Sequence, residues 1–207
     1  MLASFNMISL YDKLNLVIIP DTLNYAEIKG GENVIDLIST DIKNGELILQ
    51  NNNRFNWTRS YEREITVFLH AIKIRHIRFY GSGKITSTTT ITTDTLEMEM
   101  FKAAGSITLD MNAKAVNCIQ HTGPSDVTLT GNADVTKIYS GGNGFIYIDK
   151  LNSRSCLVNN SGTGDMYVKA RDYLEVQVFY IGSVFYTGKP STIASVIKGK
   201  GTISEIQ

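Results

Sequence analysis

A short glycine-rich phrase returns along most of this chain, and it constrains the fold more than any other feature. It reads Tyr80-Gly81-Ser82-Gly83-Lys84-Ile85, then Ser161-Gly162-Thr163-Gly164-Asp165-Met166, then Lys198-Gly199-Lys200-Gly201-Thr202-Ile203. Weaker copies lie between, at Ala104-Gly105-Ser106-Ile107, Gly123-Pro124-Ser125-Asp126-Val127, Gly142-Asn143-Gly144-Phe145-Ile146 and Ile181-Gly182-Ser183-Val184. The first apolar residue after each turn falls at 85, 107, 127, 146, 166, 184 and 203. A step of about 20 residues held over seven copies is the mark of a repeat architecture.

After each turn the residues alternate. Ile107 and Leu109, Val127 and Leu129, Ile146 and Ile148, Met166 and Val168 point to one side, as in a strand with one buried face. A second alternating segment precedes each turn, for example Leu96, Met98 and Met100 or Leu174, Val176 and Val178. Polar corners such as Asp110-Met111-Asn112 and Gly131-Asn132 join the two. Strand, corner, strand and glycine turn make one coil of an all-β, parallel β-solenoid. The handedness of crossovers between parallel strands predicts a right-handed β-helix of about seven coils. An antiparallel barrel is the competing architecture for regular short strands. The glycines are expected where a sharp corner needs a positive φ.

Residues 1–79 lack the phrase and read as a β-rich N-terminal cap continuous with the solenoid of residues 80–207. A solenoid end exposes strand edges and must be covered. Leu14, Leu16 and Ile18 alternate up to Pro20, and Asn44-Gly45 is a hairpin signal ahead of Leu47 and Leu49. The segment 32–40 fits a short helix or a strand. Asn51 to Arg63 is a polar interruption around Trp57, either an exposed binding loop or an anchor packed on the cap. The C-terminal coil shows no capping element, so it is a candidate for oligomer contacts.

Twenty basic and twenty acidic residues cancel, without a long run of either sign, which argues against a nucleic-acid footprint. The longest apolar stretch, Leu14 to Ile19, is too short to span a membrane. No secretory leader is visible at Met1-Leu2-Ala3-Ser4-Phe5, which fits either a cytoplasmic protein or a mature form whose leader has been cut off. Cys118 and Cys156 precede their strand markers by nine and ten residues, two coils apart and one residue out of phase. At roughly 4.8 Å per rung that separation is too long for a disulfide, so both thiols are expected free.

No spacing of His70, His76 and His121 suggests a metal or catalytic site, no glycine phrase opens a helix as a phosphate loop would, and no cofactor is implied. Catalysis on a solenoid would need clustered carboxylates. Asp126 and Asp165 share one coil position, but Phe145 stands between them. Glu97 and Glu99 share the outer face of one strand. The outward position after each marker reads Thr86, Thr108, Thr128, Tyr147, Tyr167, Phe185 and Ser204. Tyr147, Tyr167 and Phe185 would therefore stack as an aromatic strip, suited to a sugar face or a partner protein. The strip could equally serve only to stabilise the sheet, or bury itself in an oligomer.

The phrases at 80–85, 161–166 and Val184-Phe185-Tyr186-Thr187-Gly188-Lys189-Pro190, with the lead-in from Phe5 to Leu47, resemble the bacterial auto-transporter adhesin "head GIN" domain, typical of Bacteroidota. The likeness spans nearly the whole chain, with departures at Gly123-Pro124 and Ile181-Gly182. It implies an exported or surface-attached β-helical module without a catalytic centre, the leader being absent from this chain. The reading that follows is a non-catalytic binding or adhesion module for polysaccharide or a surface protein. A polysaccharide lyase or hydrolase, or a structural envelope spacer, is the alternative.

Overall fold

The computed structural model describes residues 1–53 and 64–206. Trp57 lies outside the described residues. The chain is nearly all β, with 64% of residues in strands and 2% in helix, and it winds as a parallel β-solenoid of about six turns.

Three long strands carry the middle of the stack: β10 (Ser106–Thr122), β11 (Asp126–Ser140) and β12 (Ile146–Asn160). Each pairs in parallel with the next, and β12 continues onto β13 (Met166–Val178). Every one of them bends midway. In β10 the residues up to Asp110 form one face, Met111 to Ala115 a corner, and Val116 onward a second face. The markers read from sequence stack in register as Ile107, Val127, Ile146, Met166, Val184 and Ile203. All but Ile203 are fully buried.

The coil before β10 consists of β8 (Lys84–Ser87) and β9 (Ile91–Phe101). The coil after β13 consists of β14 (Val184–Thr187) and β15 (Thr192–Ile197). The seventh glycine phrase opens only β16 (Ile203–Glu205), three residues long, which completes no turn. This is why seven phrases give about six turns.

The N-terminal region enters the stack rather than only covering it. β1 (Met7–Leu10) lies between β5 (Glu46–Asn51) and β7 (His76–Phe79), parallel to both. β2 (Asn15–Pro20) lies between β6 (Thr66–Ala71) and β8. Thus a rung made from the first twenty residues sits between two rungs made later in the chain. Among the described residues only β3 (Tyr25–Lys29) and β4 (Ile38–Lys43) are antiparallel, and they cover the outer edges of β6 and β5. Capping an edge with a reversed strand satisfies its backbone groups. The 32–40 segment divides into a single helical turn, α1 (Glu32–Ile35), and the start of β4. Asn44 and Gly45 have φ of 52° and 77°, both in the left-handed region that a two-residue hairpin turn demands.

The expected positive φ is found at Gly123 and at the corner glycines Gly131 and Gly188, but most glycines of the repeat serve another purpose. Positive φ occurs at Gly45, Gly123, Gly131 and Gly188, but not at Gly83, Gly105, Gly144, Gly164, Gly182 or Gly201. These six sit where one turn lies directly on another. A Cβ on Gly164 would stand 1.9 Å from the Gly144 carbonyl oxygen, one on Gly182 would stand 2.2 Å from that of Gly164, and one on Gly201 2.2 Å from that of Gly182. The glycines permit close backbone approach between rungs, the second reason for which the residue is irreplaceable.

The interior beneath these turns is not wholly apolar. Gln120, Ser140 and Asn160 occupy one inward position on successive rungs and are fully buried. Gln120 donates to the Ser125 carbonyl at 2.6 Å, and Asn160 donates to the Gly164 carbonyl at 3.0 Å while accepting from the Gly162 amide at 3.1 Å. A buried amide costs stability unless its hydrogen bonds are met, and here it holds the turn it lies under. Cys118 and Cys156 are buried and free. Cys118 stacks on Ile138, while Thr136 stacks on Cys156, so the cysteines are two positions out of register rather than one. The turn from Gln120 to Val127 is one residue longer than the equivalent turn from Ser140 to Ile146, which supplies the difference.

Candidate binding surfaces

The outward position after each marker forms one continuous row on the first face: Thr86, Thr108, Thr128, Tyr147, Tyr167, Phe185 and Ser204 pair rung by rung. Tyr147 and Tyr167 stack with ring centroids 5.2 Å apart, and Tyr167 and Phe185 at 5.0 Å. Phe145, one outward position earlier, joins Tyr147 at 6.1 Å, so the strip has four rings. Its membership follows from i, i+2 alternation running from the turn into β12. Tyr147 is 37% exposed and Phe145 39%, enough to present ring faces to a partner. Burial against its neighbours, with Asp126, Tyr167 and Asp165 nearby, holds the Tyr147 phenol above its usual pKa, so it remains a neutral hydroxyl.

The second face carries a cluster that sequence spacing did not reveal. Glu97 and Glu99 do not stand alone: His76 and Arg78 lie beside them on the preceding rung and His121 near them on the next. His76 Nε2 is 2.8 Å from Glu99 and 3.5 Å from Glu97, and His121 Nε2 is 3.1 Å from the other oxygen of Glu99. The donor atoms of His76, Glu97 and Glu99 lie within 4.8 Å of one another, close enough to share a cation. The Arg78 guanidinium, 3.4 Å from Glu99, already supplies a positive charge there. The cluster is therefore satisfied by its own side chains. Burial pushes the Glu99 carboxyl up, but hydrogen bonds from His121, His76 and Arg78 outweigh it and hold the pKa below its ordinary value. Beside the cluster runs a second ring stack, Tyr11, Tyr80, Phe101 and His121, with spacings of 4.6, 5.1 and 4.3 Å. Its members come from separate, dissimilar stretches of chain, so only the stacking of rungs brings them together.

The carboxylates considered for catalysis have structural partners. Asp126 accepts from the Phe145 amide at 2.8 Å, and Asp165 accepts from the Ser183 amide at 2.8 Å. Each ties its turn to the next rung. At the C-terminal end Ile193, Val196 and Ile197 of β15 are about half exposed, as are Tyr180 and Ile181.

The corner between the two faces forms a groove of about 890 Å³. Small residues, Ala113, Ala133, Ser153 and Ala170, form its floor in register. One wall carries Asn112, Asn132 and Asn152, the last two joined by a side-chain hydrogen bond of 3.2 Å. The other carries Lys114, Asp134 and Arg154.

No helix among the described residues is long and apolar enough to cross a membrane. No curated protein sequence matches the chain. Among solved structures it is similar to a putative adhesin from Bacteroides fragilis, with a TM-score of 0.90 at 25% identity over 99% of this chain and 93% of that one. A putative lipid binding protein from Parabacteroides distasonis has a TM-score of 0.72 at 15% identity, covering 100% and 95% of the two chains. A putative adhesin from Parabacteroides merdae has a TM-score of 0.70 at 16% identity, covering 100% and 93%. The last two likenesses speak to fold alone. The profile of the family described as "Putative auto-transporter adhesin, head GIN domain" matches residues 4–190, and the chain belongs to that family.

Proposed function

We propose that the protein is a non-catalytic binding module, exported or held at the cell surface, that meets polysaccharide or a surface protein through Tyr147, Tyr167 and Phe185. The observation that carries this reading is the registered stack of rings at 5.2 and 5.0 Å on a face held rigid by the solenoid. A preformed row of aromatics costs little entropy to engage, and sugars and protein partners alike gain contact energy from such rings. The family description and the likeness to the Bacteroides fragilis protein support a role in binding. The structural use of Asp126 and Asp165 in tying turns together supports a module without a carboxylate pair for hydrolysis.

The test is incubation of the full chain with a panel of plant and host polysaccharides, with and without calcium, scoring retention and released fragments together. Retention without fragments is expected. Released fragments overturn the non-catalytic reading. Absence of retention across the panel moves the assignment to a protein partner.

A further inference from the structure

We infer that the corner groove is a second, separate binding site, and that it takes a linear anionic polysaccharide. The chain as a whole is electrically neutral, yet the groove is lined by five cations, Lys73, Lys114, Arg154, Lys169 and Arg171, against two carboxylates, Asp94 and Asp134. Two of the cations are already engaged: Lys114 pairs with Asp94 at 2.8 Å and Arg171 with Asp172 at 2.7 Å. Among the described residues, Lys73, Arg154 and Lys169 have no carboxylate at ion-pair distance. Five cations against Asp94, Asp134 and the Asp172 that pairs with Arg171 leave this concave surface with a net charge of plus two, which raises the local concentration of an anionic ligand.

The shape and the chemistry of the walls narrow the ligand class. The groove crosses five rungs, β9 to β13, a length of roughly 19 Å at about 4.8 Å per rung. Its floor of small side chains lets an extended chain lie flat. The rung spacing is close to the advance per residue of an extended pyranose chain, so equivalent groups on successive sugars meet equivalent groups on successive rungs. The Asn112, Asn132 and Asn152 amides offer a donor and an acceptor at each step, which suits hydroxyl groups that both give and take hydrogen bonds. Nucleic acid fits less well, because no aromatic side chain among the described residues lines the groove to stack a base. An acidic peptide fits less well, because the floor strands are paired on both sides and leave no backbone edge to extend. The groove lies on the corner and the aromatic strip on the first face, so this inference does not rest on the strip.

The test is affinity electrophoresis of the full chain through gels holding polygalacturonate, dextran sulfate, neutral dextran or duplex DNA, at two salt concentrations. Retardation by polygalacturonate or dextran sulfate, weakened by salt and absent with neutral dextran, is the expected result; the first two arms separate a carboxylate-bearing from a sulfate-bearing ligand. The triple variant Lys73→Gln, Arg154→Gln, Lys169→Gln should bind about tenfold more weakly, as expected when several exposed charges are removed together. Lys137→Gln with Lys198→Gln, away from the groove, should bind as the parent does. Equal weakening by the control pair, no retardation by either polyanion, or equal retardation by DNA would overturn the assignment. Lys73 and Arg154 are exposed and Lys169 is half-buried, so unchanged melting of the triple variant is the check that the readout reports binding.

Discussion

The rings of Tyr147 and Tyr167 lie 5.2 Å apart and within 17° of parallel, one rung apart in the register of β12 on β13. Nothing but the solenoid's stacking holds them so. Their alignment sets up both a stabilising contact and an exposed flat surface, and the two roles can be separated. Replacing Tyr147, Tyr167 and Phe185 together with Thr, the residue that occupies the same row at 86, 108 and 128, should preserve the strand signature in circular dichroism. Each lost ring pair is worth about 0.2–1 kcal/mol, so the denaturation midpoint should fall only modestly. Retention on the ligand identified by the panel should vanish. Full retention by the triple variant would remove the strip from the binding surface.

The turn glycines should be far less tolerant than the hairpin glycine. Gly164→Ala drives a methyl group to 1.9 Å from the Gly144 carbonyl oxygen, so two rungs must part, and a loss of about 3 kcal/mol or more is expected. Gly45 has open space around it and a φ of 77°, so Gly45→Ala should cost only the conformational penalty of about 1–2 kcal/mol. Thermal melting of the two variants checks the order. If Gly45→Ala were the more damaging, close packing of rungs would not be the reason for the repeat.

Acid stability should depend on Glu99. Its folded pKa lies below its unfolded value, because hydrogen bonds from His121, His76 and Arg78 favour the charged form over the opposing effect of burial. The unfolded chain therefore takes up the proton first. The stabilisation is present above the unfolded carboxylate pKa of about 4.3 and is lost as pH falls through the lower folded value. Glu99→Gln should cost about 1–3 kcal/mol near neutrality, the loss of charge-assisted hydrogen bonds in a mostly buried group. The difference from the parent should shrink below about pH 4. A gap that stays constant down to pH 3 in urea titrations would show that Glu99 acts only through packing.

Both thiols should be silent in the native protein. Burial pushes Cys118 and Cys156 up to about 12, leaving almost no thiolate at neutral pH. A disulfide reagent should titrate no thiol in buffer and two in denaturant. Rapid native labelling would mean that the wall of the solenoid opens locally.

The repeat made the architecture legible before any coordinates. Alternation after each glycine turn identified Ile107, Val127, Ile146, Met166 and Val184 as core, and the same alternation placed Tyr147, Tyr167 and Phe185 in one outward row. Both follow because a strand's side chains alternate with period two and a parallel stack brings equal positions together. Asp126 and Asp165 were placed correctly on the coil, but their hydrogen bonds to the next rung's amides depend on how far one turn sits above another.

Tertiary structure decided what local pattern does not encode. The insertion of Met7–Leu10 between Glu46–Asn51 and His76–Phe79 is a long-range choice of pairing partner, and strands of similar alternation carry no mark of which neighbour they will take. The meeting of His76, Glu99 and His121, and the gathering of Lys73, Arg154 and Lys169 around one groove, follow from that choice and from the bend at each corner. The reason for the turn glycines was also hidden. A positive φ belongs to one residue and its neighbours, whereas the space closed by the rung above is set only when the coils stack.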